Sequence, residues 1–293
     1  MKYGIREICD VVLKAKADNT EVGNKTFKKG EPVLYFDTLK TSSMEGSSTT
    51  VYAQGGRGNS RLVAWEGERT VTFTMEDALI SDMGLALLIG AGVIDLDDTN
   101  NKVEKIYVHS TAKFPAVIGK AYAYKFDEYI DTKNVWAIEM DANDDVLSTT
   151  AVQTSAVNTT TGSATITYTA SNAKAAKVMF DFYVIKTSGA RQIEITPDKF
   201  GGNYYLEAST LFRDQNGSDL PAEFIIPNCK VQSNFNFSLA STGDPSTFTF
   251  TMDAFPDYTV YDPTKKVLSV IQVIGDEEAP LADTDPVVVP SDN

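Results

Sequence analysis

Residues 70–75 read Thr-Val-Thr-Phe-Thr-Met and residues 247–252 read Thr-Phe-Thr-Phe-Thr-Met, each followed by an acid, Glu76 and Asp253. Strict alternation has the period of an extended strand, so Val71, Phe73 and Met75 share one face, with Phe248, Phe250 and Met252 as the equivalent set. Thr70, Thr72, Thr74, Thr247, Thr249 and Thr251 point the other way. Two readings of the threonines stay open. They are the wetted faces of two half-buried or edge strands, or they belong to one sheet whose polar face lines something that must not stick.

Outward from these segments the strand signature recurs. Runs rich in β-branched and aromatic residues, bounded by Gly, Asn, Asp or Pro, predict strands at 32–39, 62–65, 105–109, 121–126, 135–140, 164–168, 177–185, 204–212 and 223–230. Residues 5–16 fit either a strand or a helix face, and the Val11-Val12 pair favours the strand. One helix is predicted, with Ser81 as N-cap, Asp82 at its positive end, Leu85, Leu87 and Leu88 as an apolar stripe, and Gly90 and Gly92 as its stop. The fold class is mainly β with one packed helix.

Composition bounds the function. The 293 residues include 42% apolar residues, enough for a sizeable core, and 26 basic against 40 acidic residues give a net charge of −14. That is the wrong sign for gripping nucleic acid through its phosphates. Residues 1–104, 105–193, 194–274 and 275–293 carry −4, +1, −5 and −6 respectively. The near-neutral stretch, rich in Thr, Ser and Ala, is expected to be an inserted domain, and 275–293 an acidic arm whose Val287, Val288 and Val289 could add a strand to a neighbour. Cys9 and Cys229 lack the spacing of a zinc site or disulfide framework, so a reducing compartment is expected. The longest mainly apolar run, 83–94, is about half of a membrane span, and no signal-peptide core is seen. His109 is the one histidine, which removes every scheme that needs a His pair.

The candidate chemical motifs read as structure. Residues 55–60, Gly-Gly-Arg-Gly-Asn-Ser, lack the Lys-Ser/Thr pair of a phosphate loop and read as a flexible glycine loop. Asp95, Asp97 and Thr99, and likewise Asp141, Asn143 and Asp145, open like calcium loops. Ile106 and Val152 stand where the closing Glu belongs, so both read as acidic turns. Trp65 and Trp136 suit the cores of two sheets, because no basic residues interleave with them as on a base-stacking platform. No catalytic residue, metal site or cofactor is assigned.

The order of features from Pro32 onward resembles a known family. Residues 32–40 (PVLYFDTLK), 51–59 (VYAQGGRGN), 62–65 (LVAW), 71–81 (VTFTMEDALIS), the leucine helix and 245–256 (PSTFTFTMDAFP) together look like the major tail tube protein of tailed bacteriophages. The likeness covers residues 1–104 and 194–274, and leaves the middle outside as an immunoglobulin-like or related small β-sandwich. It implies a tube β-sandwich or barrel, hexameric rings stacking into a conduit for DNA, and possible sheath, baseplate and tail-terminator partners. It also implies a virion-tail location after assembly in the host cytoplasm. A long loop to the adjacent ring falls on residues 41–61, with Gly46, Gly55, Gly56, Arg57, Gly58 and Asn59, and the six threonines fall on an inter-subunit sheet or lumen face. The alternative is a surface-displayed adhesin or carbohydrate-binding virion protein, with an acidic-residue hydrolase as a further rival.

Overall fold

A computed structural model describes residues 2–5, 7–98, 103–126, 129–152, 164–236 and 247–275. In it the two threonine-rich segments are hydrogen-bonded neighbours. Phe248–Ala254 runs antiparallel to the end of Ser60–Asp77, with Phe250 opposite Met75, Thr251 opposite Thr74 and Met252 opposite Phe73. Opposed residues of such a pair share a face. Phe73, Met75, Phe250 and Met252 therefore merge into one buried patch, while Val71 and Phe248 at its rim are half-buried.

The chain divides into two compact units, Met1–Val93 with Ile193–Asn293, and Ile94–Gln192. The first holds a large antiparallel sheet in the order Pro32–Phe36, Asp10–Ala15, Asn203–Asp214, Asp219–Val231, Phe248–Ala254, Ser60–Asp77, Leu39–Gly55. This corrects the edge-strand reading of the threonine segments, because both strands are flanked on either side. Thr247 precedes its strand and stands outside the ladder.

The first and last strands of that order are joined by Asp37 and Thr38 alone, so the sheet must curl until its margins approach. The rings of Phe36 and Phe250 meet edge-on across the inside, 5.0 Å apart. No ladder joins the two margins among the described residues, and the sheet is not a closed barrel.

The helix, Asp82–Ile89, fills the inside of the curl. Its N-cap is Ser81, whose Oγ accepts from the Gly84 N–H at 2.9 Å, which satisfies one orphan donor of the first turn. Ala86, Leu87, Leu88 and Ile89 are all buried, in one core with Val11, Leu13, Leu206, Ile226 and the Phe73 patch. A helix apolar on nearly every side must be covered on nearly every side. It ends at Gly90, in the left-handed region at φ 72°, where an added Cβ would overlap the Phe200 carbonyl.

The second unit has a four-stranded antiparallel sheet in the order Val146–Ala151, Trp136–Met140, Lys177–Lys186, Ile106–Pro115, and a two-stranded sheet, Tyr122–Phe126 with Ala164–Tyr168. Their inner faces meet around Phe180, whose ring lies 4.9 Å from that of Tyr124 and 5.6 Å from that of Phe126. This is a small sandwich, four strands over two among the described residues, against the seven of a constant-type immunoglobulin domain. Trp65 and Trp136, expected in cores, are 55% and 48% exposed. Trp65 lies in a ribbon whose strand is exposed throughout residues 60–70, and Trp136 sits on the outer face of its sheet opposite Asp181.

One carboxylate lies within the core of the second unit. Glu139 is fully buried, and it accepts from the Ser171 N–H (2.7 Å) and the Tyr168 hydroxyl (3.1 Å) through Oε1 and from the Asn172 N–H (2.9 Å) through Oε2. Burial pushes its carboxyl up, but these donors outweigh burial and hold it below the ordinary value.

Two stability outcomes follow from these sites. Gly90→Ala is expected to cost more than the roughly 1–3 kcal/mol of a strained left-handed residue, because the overlap with the Phe200 backbone adds to it, read as a shift in the urea midpoint. Glu139→Gln is expected to cost about 1.5–3 kcal/mol, the worth of charge-assisted hydrogen bonds. Because the folded carboxyl is lowered, its contribution is present above the unfolded value and lost as pH falls through the folded one. Wild-type stability should thus fall on acidification more steeply than that of the Gln variant, as followed by thermal melts from pH 6 to pH 3.

Candidate assembly surface

Across Leu39–Gly55, Ser60–Asp77 and Phe248–Ala254, the face of the large sheet that looks away from its core is built in rows. Thr41, Glu76 and Thr249 are aligned across three strands, then Ser43, Thr74 and Thr251, then Glu45, Thr72 and Asp253, with Ser47 opposite Thr70 beyond them. The rows hold hydroxyls and three carboxylates, with no aromatic or aliphatic side chain. Ser47 Oγ and Thr70 Oγ1 are 2.8 Å apart, Thr72 Oγ1 donates to Asp253 Oδ1 at 3.4 Å, and Gln232 Nε2 reaches both Asp253 oxygens at 3.0 and 2.9 Å. Alternation alone places five of the six predicted threonines here. The sequence reading missed Ser43, Glu45, Ser47, Glu76 and Asp253, although the run of small polar residues at 41–50 was the available signal.

The stretch expected as a long loop is a β-hairpin arm. Leu39–Gly55 pairs with Ser60–Asp77 almost to the tip, and only residues 56–59 form the turn, with Gly56, Gly58 and Asn59 at positive φ. Gly46 and Gly55 lie within strands, and Arg57 sits in the turn. The physical reason is cross-strand pairing: Val51 opposite Trp65 and Ala53 opposite Val63 give the ribbon a β-branched and aromatic ladder that glycine content alone conceals. Gly67 lies midway, where an added Cβ would displace the Thr49 side chain, whose Oγ1 accepts from the Glu68 N–H at 3.0 Å at a register shift.

From Glu45 to Tyr52 and from Ser60 to Thr70 every residue of the arm is exposed. Val51, Val63 and Trp65 form an apolar patch on one side, and on the other the Arg61 guanidinium lies 4.1 Å from the Tyr52 ring centre. A two-stranded ribbon in water is marginal by itself, and a contiguous apolar patch on it marks a contact surface.

The remaining motifs are structural. Asp141 Oδ1 accepts from the Asn143 and Asp145 N–H groups at 2.8 and 3.0 Å, a turn built on its own carboxylate. Asp97 accepts from the Gly189 N–H at 2.9 Å and Asp95 from Arg191 Nε at 2.7 Å, while Thr99 lies outside the described residues. Cys9 and Cys229 are free and buried, and burial pushes the Cys229 thiol up to about 12. The acidic stretch beyond Gly275, with Val287 to Val289, also lies outside the described residues.

The first unit is thus a curled sheet with a hydroxylated outer face on three strands and a projecting ribbon. The sequence matches the YomU/Tube protein family over residues 4–266. The chain belongs to that family. It is thus a phage-related tube protein, of a family that is structural and assembles into tubes, and its place is the virion tail. The matched range takes in the second unit, which the sequence resemblance had left outside. No curated protein matches the chain.

For this tube protein the arm patch gives a separable variant. Val51→Thr with Trp65→Thr alters exposed positions alone and keeps a β-branched cross-strand pair, so subunit stability should change by no more than about 0.5 kcal/mol. Assembly, measured by sedimentation velocity, should weaken at least tenfold.

Proposed function

We propose that this chain is the major tail tube subunit of a tailed phage: hexameric rings stack into the conduit through which the genome is delivered. Neighbouring sheets join along their free margins, Pro32–Phe36 and Leu39–Gly55, which removes the exposed strand edges that a solitary sheet carries. The arm reaches an adjacent copy and buries Val51, Val63 and Trp65. Ring stacks of this kind end on a tail terminator and a baseplate, and a sheath is the further partner of a contractile tail. No catalysis and no cofactor enter the scheme.

The observation that carries this reading is the rowed hydroxyl and carboxylate face opposite the core. Turned toward the lumen it offers bases nothing to stack on, and Glu45, Glu76 and Asp253 repel phosphates where a basic groove would trap them. Six copies at −14 each bring roughly −84 per ring, the sign a passage for DNA needs. DNA then slides without specific contacts.

Electron microscopy of the purified protein, negatively stained over a range of concentrations, tests the proposal. Open-bored six-fold rings or tubes are expected. A monodisperse subunit at every concentration, or an assembly without a bore, overturns it.

A further inference from the structure

We propose a saccharide-binding site on the solvent face of the four-stranded sheet of the second unit, walled by Tyr107, Tyr183 and Trp136 around the turn 131–134. It is complete within one subunit and does not depend on the tube reading.

Alternation decides the face. Along Lys177–Lys186, Phe180, Phe182 and Val184 point into the core, so Asp181, Tyr183 and Ile185 point out. Register then sets Trp136 opposite Asp181, His109 opposite Tyr183 and Tyr107 opposite Ile185. Tyr107, Trp136 and Tyr183 are 54%, 48% and 38% exposed among the described residues, a strong aromatic concentration for one sheet face.

The turn beside them is held firmly. The Asp131 N–H donates to the Tyr183 carbonyl at 2.8 Å, and its carboxylate accepts from the Lys133 N–H at 3.0 Å and from Asn134 Nδ2 at 2.6 Å. It separates two hollows. One, of about 630 Å³, is lined by Tyr107, Asp131, Lys133, Asn134 and Tyr183. The other, of about 310 Å³, has Trp136 in its wall and shares Lys133 and Asn134. Both are depressions open to solvent, with volumes in the range of small-molecule sites.

The chemistry selects the ligand. A pyranose ring presents an apolar C–H face that packs on an aromatic ring, and hydroxyls that pair with carboxylate, amide, imidazole and ammonium groups. The face supplies both kinds of partner, including His109 Nε2 at 2.9 Å from Asp181 Oδ2. A nucleic acid would need net positive charge, and here Lys133 stands against Asp131 and Asp181. A short neutral oligosaccharide that crosses the turn, one ring against the tyrosines and another against Trp136, meets Lys133 and Asn134, which line both hollows.

Saturation-transfer difference NMR on the full chain, with chitotetraose, maltotetraose and mannotetraose as probes, tests this. At least one probe should show transfer concentrated on ring C–H protons and a saturable titration. Tyr107→Ala and Tyr183→Ala should weaken it at least tenfold with unchanged melting curves, while Tyr183→Phe, which keeps the stacking ring, should bind within about threefold of wild type. No saturable transfer from any of the three, or binding that survives both Ala variants, overturns the proposal. So does protection of Trp136 that follows self-assembly alone, which makes the face a contact between copies. Tube formation is scored separately by microscopy, so either proposal can fail without the other.

Discussion

The strand Ser60–Asp77 carries two obligations. Residues 72–77 are bonded on both edges, to Phe248–Ala254 on one side and Leu39–Gly55 on the other, whereas the earlier half is bonded on one edge only. Its buried end, Phe73 and Met75, is locked by the core that also holds the helix. The ribbon therefore leaves the subunit from a fixed root. A fixed root gives the exposed arm a direction, which a mobile loop of the same length would lack, and it lowers the ordering cost when a second copy covers the arm.

The same strand shows how one sheet can be apolar on its inner face and polar on the other. Its inner face is paid for by a helix apolar on nearly all sides, so no second sheet is needed beneath it. The outer face is then free to be hydroxyls and acids across Leu39–Gly55, Ser60–Asp77 and Phe248–Ala254, whereas Tyr35, Tyr205 and Ile225 stand on that face farther across the sheet. Lys14 with Glu207 and Lys16 with Asp257, 2.8 Å apart, extend the polar character to the strands beyond. With each partner 25–28% exposed, such ion pairs at a sheet surface add little stability.

The second unit solves a different problem with the same period of two. Its inner face is aromatic around Phe180, and its buried Glu139 is matched by backbone donors that tie the 171–172 segment to the sheet. Having a core of its own, the unit can afford aromatic residues outside as well. That surplus of exposed rings distinguishes it from the rowed hydroxyl face of the larger sheet, and it is what a recognition surface requires and a conduit avoids.

Local rules were legible in the chain itself. Alternation in 70–75 and 247–252 separated inward Phe and Met from outward Thr, and Ser81 and Gly90 bracketed the helix, because side-chain direction in a strand and capping at a helix end depend on neighbours within a few residues. Which strands lie side by side was beyond that range. Thr72 meets Asp253 from 181 residues away, so no local pattern reports the row they share or the interior position of both strands. Residues 41–61 read as a loop because glycines and serines mask the pairing that Val51 and Trp65 make across the ribbon. Trp65 and Trp136 read as core because size and hydrophobicity favour burial, yet whether a strand's second face is covered depends on which elements pack there. Sequence determined the faces, and tertiary structure decided what each face meets.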